Sequence, residues 1–81
     1  MHVLYVFEVV FENQSAQRIK LYWVSYAGPL KLYATLDPGA TRRQNSYSDN
    51  TWLITDEDDK PLGYFIIVEP EDCLAVIPKV K

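Results

Sequence analysis

Residues 18–23 read Arg18-Ile19-Lys20-Leu21-Tyr22-Trp23. Ile19, Leu21 and Trp23 share one parity; Arg18, Lys20 and Tyr22 share the other. Successive side chains of a strand point to opposite faces, so this period of two lays one apolar face on a core. The same pattern runs through Val3, Tyr5, Phe7, Val9 and Phe11, with Glu8 and Glu12 opposite them. Leu4, Val6 and Val10 make that second face partly apolar. Downstream, Leu62, Tyr64, Ile66 and Val68 alternate with Gly63, Phe65 and Ile67, which predicts a strand covered on both faces. Residues 73–78, Cys-Leu-Ala-Val-Ile-Pro, read as a short last strand. No segment holds a period of 3.6 over ten residues, so no helix is expected.

Turn formers punctuate these runs at short intervals: Asn13-Gln14-Ser15, Gly28-Pro29, Asp37-Pro38-Gly39, Ser48-Asp49-Asn50, residues 56–61 and residues 69–72. Short β-rich runs between closely spaced turns specify an all-β chain, and the expected architecture is a small antiparallel β sandwich. At Asp37-Pro38-Gly39, Pro sets φ and Gly accepts a positive φ. Residues 56–60 read as a charged hairpin tip.

The chain has 81 residues and a mass of 9.4 kDa, so residues 1–81 read as a single domain with one thin core. It is 48% hydrophobic and 23% charged, a globular composition. One cysteine excludes an internal disulfide framework and a cysteine-based zinc site. A net charge of −3 argues against nucleic acid as a partner. No apolar run reaches the roughly 20 residues a membrane-spanning helix needs, so no membrane partner is expected. Residues 1–10 lack the basic start and cleavage site of a secretory leader. With the lone cysteine, that makes the cytoplasm the expected location.

Catalytic chemistry finds little support. Asp56, Glu57, Asp58 and Asp59 lack the alternating spacing and distal Glu of a calcium loop and read as a solvated turn. The one histidine, His2, lies near a terminus, which leaves neither a metal site nor a Ser-His-Asp system. Glu71 and Asp72 would raise the pKa of the Cys73 thiol, so Cys73 reads as a small buried strand residue. Asn13-Gln14-Ser15 fits a glycosylation acceptor, but a hairpin turn accounts for it. The expectation is a protein that is not an enzyme and uses no cofactor.

The aromatic content is high at 14%, with six Tyr, two Trp and three Phe. A thin core cannot hide all these rings, and exposed aromatics build peptide and sugar sites. Residues 23–52 hold both Trp residues, with Tyr26, Tyr33, Ser46, Tyr47 and Asn50 between them. Arg42 and Arg43 point to opposite faces of a strand. One should be solvated, and the other should lie against the sheet with its guanidinium on a carboxylate or carbonyl.

In this region the order of motifs resembles the von Hippel–Lindau β-domain family. The matching elements are Val10-Phe11-Glu12-Asn13-Gln14-Ser15, Trp23, Tyr26-Ala27-Gly28, Tyr33-Ala34-Thr35-Leu36-Asp37-Pro38-Gly39, Arg42-Arg43-Gln44-Asn45-Ser46-Tyr47 and Trp52-Leu53-Ile54. The similarity runs over residues 10–78, more loosely in the last third. It implies a β sandwich that binds an extended peptide carrying 4-hydroxyproline, whose ring enters an aromatic-walled pocket. Carried over, the walls are Trp23, Tyr33 and Trp52. Ser46 holds the ligand hydroxyl, Tyr47 neighbours the pocket, and Arg42 lies beside it. Asn50 stands where the family has the pocket His, and Asn45 where it has a second His. Asn can donate and accept like neutral His, but it is shorter and does not titrate. The family's helical second domain has no counterpart in these residues, so the expected module lacks the part that binds the ubiquitin-ligase adaptor.

The expected function is therefore recognition of a proline- or hydroxyproline-containing segment by Trp23, Tyr33, Trp52, Ser46 and Asn50, flanked by Tyr47 and Arg42. Flat aromatic walls suit proline, whose fixed φ lowers the ordering cost of binding. Two alternatives stand beside it. A structural or assembly module predicts that Ser46 and Asn50 do not converge on a cleft. A carbohydrate-binding module predicts a flat, exposed aromatic strip. A first strand apolar on both faces also suggests a homodimer formed by pairing through that strand.

Overall fold

The computed structural model describes residues 6–25, 28–47, 49–68 and 74–78. Seven strands follow in chain order: β1 (Val6–Asn13), β2 (Ile19–Val24), β3 (Leu30–Leu36), β4 (Thr41–Tyr47), β5 (Asn50–Thr55), β6 (Pro61–Ile67) and β7 (Leu74–Ile77). They form two sheets, ordered β4-β1-β7 and β3-β2-β5-β6. The described residues contain no helix. All pairings are antiparallel except β1 with β7, which is parallel.

The sheets bury the faces that the alternation marks. Val9 and Phe11 on β1 and Ala75 and Ile77 on β7 pack against Ile19, Leu21, Leu36, Trp52, Ile54 and Ile67 of the other sheet. Each fully buried Ile, Leu or Phe contributes about 1.5–3 kcal/mol, which makes this thin core the main stabilising element. Phe11 joins the layers, meeting Trp52 at 5.4 Å and Phe65 at 6.2 Å between ring centroids.

On β6 the structure corrects the expectation. Phe65 packs on the core and Ile67 is buried, while Leu62, Tyr64, Ile66 and Val68 are exposed. Only one face of this strand is covered. The pairing Trp52↔Phe65 sets it, because Trp52 points inward and its register partner must do the same.

The Asn13-Gln14-Ser15 corner also differs from a hairpin turn, since β1 and β2 lie in different sheets. Asn13 is fully buried. Its Nδ2 donates to the carbonyls of Gln17 (2.8 Å) and Leu36 (3.0 Å), and its Oδ1 accepts from the backbone and hydroxyl of Ser15. The carboxamide is committed to the crossing, which makes it no acceptor for a glycan in the folded chain.

β1 is the middle strand of its sheet. β4 takes one side over Val6–Glu12 and β7 takes the other over Val10–Asn13. A homodimer formed through the first strand therefore finds no free edge from Val10 to Asn13. The Asp37-Gly39 turn closes with the Ala40 amide donating to the Asp37 carbonyl at 2.9 Å, and Gly39 takes φ +83°. At the charged tip, Asp56 Oδ1 accepts from the Asp58 and Lys60 amides. Arg42 and Arg43 are both exposed; Arg43 on the outer face reaches Glu8 at 2.7 Å. Arg42, the arginine on the core-facing parity, donates among the described residues to Gln44 alone, at 3.2 Å. The expected readings of Val3, Tyr5, Tyr26, Ala27, residues 69–72 and Cys73 fall outside the described residues.

Candidate functional site

β3 and β4 are the edge strands on one side of the sandwich, and a small cavity of ≈ 90 Å³ opens there. Its lining is Trp23 from β2, Tyr33 from β3, Asn45 and Tyr47 from β4, and Asn50 and Trp52 from β5. Four strands thus supply the walls, and the rigid sheets hold them in place.

The register explains how the rings meet. Trp23 and Trp52 are cross-strand partners between β2 and β5. Tyr33 reaches them through a β-bulge. The pairing of β2 with β3 slips between Leu21↔Ala34 and Tyr22↔Leu32, leaving Tyr33 without a register partner. A bulge re-aims a side chain, and this one turns Tyr33 onto the core side beside Ala34. Tyr33 then meets Trp52 edge-on at 5.1 Å and 90°, and Trp23 at 6.5 Å and 68°. Edge-to-face contact is the favoured aromatic geometry.

The polar groups are uncharged. Asn50 is 7% exposed, and among the described residues its carboxamide has no hydrogen-bond partner. The short connection before it, with Asp49 at φ +66° and its amide donating to the Ile67 carbonyl, swings the chain from one sheet to the other. Asn45 lines the same cavity from β4. Trp23 Nε1 is buried without an acceptor among the described residues, a donor that water cannot reach. The Lys31 ammonium lies 5.3 Å from the centroid of the Tyr33 ring.

Five of the seven expected site residues therefore line one cavity: Trp23, Tyr33, Tyr47, Asn50 and Trp52. Ser46 does not. It is 1% exposed and sits behind Trp52, whose Nε1 donates to Ser46 Oγ at 3.0 Å. The Ser46 hydroxyl donates onward to the Tyr47 carbonyl at 3.3 Å. Arg42 does not line the cavity either, and is exposed on β4. Asn45 is the lining residue that the expected set omits. The only signal for it in the sequence is its place beside Ser46, at a position where the resembling family has His.

A larger cavity, ≈ 140 Å³, lies at the opposite side between β6 and β7, lined by Ile54, Leu62, Gly63, Tyr64, Phe65, Ile77 and Pro78. Tyr64 is the one lining residue with a polar side chain, and it is largely exposed. Size alone favours this cavity, but binding sites combine apolar walls with a few placed polar groups, and the smaller cavity has them.

The model of the VHL beta domain family matches residues 3–64, which span every residue lining the smaller cavity.

Proposed function

The chain belongs to the VHL β-domain family, and on that premise we propose that it is a peptide-binding module whose aromatic-walled pocket receives a proline- or hydroxyproline-containing segment. The observation that carries this reading is the meeting of Trp23, Tyr33 and Trp52 around a cavity that Asn45 and Asn50 also line. A cavity of ≈ 90 Å³ suits one small ring, against the roughly 300–1,000 Å³ of drug-sized sites. The unpaired side of edge strand β4 runs beside the pocket, where an extended peptide can add main-chain hydrogen bonds. Recognition needs no chemistry, and the pocket has no nucleophile–base pair. The buried Trp52 and edge-on rings do not form the flat, exposed strip of a sugar platform.

Calorimetry tests the proposal with three short peptides that differ only at a central proline, 4-hydroxyproline or alanine. The expected result is binding of at least one of the first two, lost with alanine and weakened by Tyr47→Ala at the exposed rim. Equal heats from all three would overturn it.

An assembly module is the second reading, and two observations favour it. Ser46 does not converge with Asn50 on the cavity. The outer face of the four-stranded sheet also exposes Leu30, Leu32, Tyr64 and Ile66. Failure of every peptide to bind would bring this reading forward.

A further inference from the structure

Among the described residues the two sheets end in four edge strands, β3, β4, β6 and β7. An edge offers a row of unpaired N–H and C=O groups to any second strand, and folded proteins blunt it with charge, a bulge or shortness. Three of these edges are blunted in that way. β3 carries Lys31 and the bulge at Tyr33, β4 carries Arg42 and Arg43 in succession, and β7 has only four residues. The exception is β6, whose residues Pro61-Leu62-Gly63-Tyr64-Phe65-Ile66-Ile67 include no charge. The slip in its pairing with β5, between Ile54↔Gly63 and Thr55↔Pro61, falls at Leu62 and leaves residues 63–67 regular. We infer that β6 is the edge through which two copies of this chain pair, antiparallel about a two-fold axis, joining their four-stranded sheets into one.

The strand is complementary to itself. With the axis at Phe65, that ring faces its own counterpart, and Tyr64 of each copy faces Ile66 of the other. Aromatic–aromatic and aromatic–β-branched pairs are favourable across strands. Tyr64 and Ile66, 66% and 47% exposed on the outer face, then cover one another. Charge selects the antiparallel arrangement. The acidic tip of Asp56, Glu57, Asp58 and Asp59 lies just before β6, so parallel strands would set two tips side by side. Antiparallel strands hold them roughly 40 Å apart, several screening lengths at physiological salt. One strand pair buries less than the roughly 1,600 Å² of a standard interface, so the association is weak and depends on concentration. This edge lies across the four-stranded sheet from β3 and the aromatic cavity, so pairing leaves that cavity open. The inference therefore stands apart from the peptide-pocket reading.

Sedimentation velocity of the full chain, from about 10 µM to about 1 mM, tests it with wild type, Ile66→Lys and Leu32→Lys. Both substituted positions are about half exposed, and Leu32 lies on the outer face at the far edge, opposite Tyr22. Wild type is expected to move from the mass of one copy toward that of two as concentration rises. Ile66→Lys puts two like charges beside the axis and should weaken association about tenfold or more. Leu32→Lys should associate as wild type does. Amide hydrogen exchange of wild type at the two ends of the range needs no variant: residues 63–67 should exchange more slowly at high concentration, with β3 and β4 unchanged. A wild type that stays at one copy to 1 mM overturns the inference, as does a mass that grows past two. Undiminished association of Ile66→Lys overturns it too. Loss in Leu32→Lys would assign the contact to stacked outer faces and contradict pairing through β6.

Discussion

Trp52 Nε1 donates to Ser46 Oγ at 3.0 Å across the two sheets, with both side chains 1% exposed. The bond serves stability and the pocket together, because the same indole is core on one side and wall on the other. Ser46→Ala leaves a buried N–H without an acceptor, which costs about 1–3 kcal/mol. Urea denaturation should show the midpoint falling with an unchanged slope. An unaltered midpoint would mean that the indole finds another acceptor.

Asn13 is predicted to be the most sensitive polar position in the chain. Its carboxamide makes four hydrogen bonds with Gln17, Leu36 and Ser15 at the crossing from β1 to β2. Asn13→Ala strands several buried backbone groups and should cost about 3 kcal/mol or more, the loss expected for a broken buried network. Ser15→Ala removes fewer bonds and should cost about 1 kcal/mol. Thermal unfolding of the two variants checks the order.

Two glycines should respond differently to alanine. Gly39 holds φ +83° in the turn between β3 and β4, so Gly39→Ala meets backbone strain of about 1–2 kcal/mol. Gly63 lies on β6 at an ordinary φ, and an added Cβ there meets nothing within 4 Å. Gly63→Ala should stay within about 0.5 kcal/mol of wild type. Equal destabilisation by both would contradict the turn geometry.

Charge enters stability at one surface cluster. Hydrogen bonds from Tyr22 and Lys20 hold the Asp59 carboxyl below its ordinary 3.8. The bond to Asp59 raises Lys20 above 10.5 and Tyr22 above 10.0. A depressed acid stabilises the fold above its ordinary value, and that contribution fades as pH falls through the lower folded value. The raised groups stabilise it below their ordinary values, and theirs fades as pH climbs through the higher folded values. Asp59 also sits at φ +64°, which Asn tolerates, so Asp59→Asn removes charge with little backbone cost. Melting curves across pH should separate wild type from Asp59→Asn most at neutral pH. The gap should close at both extremes and shrink in high salt. A gap independent of pH would show that the cluster does not couple to folding.

Alternation made β1 and β2 readable, because Ile19 and Leu21 leave little choice of inner face. It was ambiguous on β6, where both parities are apolar and cross-strand pairing with Trp52 decides. Trp23, Tyr33 and Trp52 could all be named as pocket walls from the family-like order of motifs, but the bulge that turns Tyr33 toward the two Trp rings is announced by no local residue. The role of Ser46 was hidden for a related reason. Its hydrogen-bonding partner lies six residues on, after the chain has changed sheets, so strand periodicity says nothing about the contact. The polar corner at Asn13 looked like a turn because Asn and Ser suit turns and buried crossings equally well.

The central claim is that the pocket of Trp23, Tyr33, Trp52, Asn45 and Asn50 receives a proline-type ring. An NMR titration of the isotope-labelled chain with the hydroxyproline and proline peptides tests it most directly. The account predicts saturable shifts of the Trp23 and Trp52 indole N–H signals and the Asn45 and Asn50 side-chain amides, with Ile54, Leu62 and Ile77 unmoved. Shifts centred on Ile54, Leu62 and Ile77, or no saturable shifts with either peptide, would contradict it.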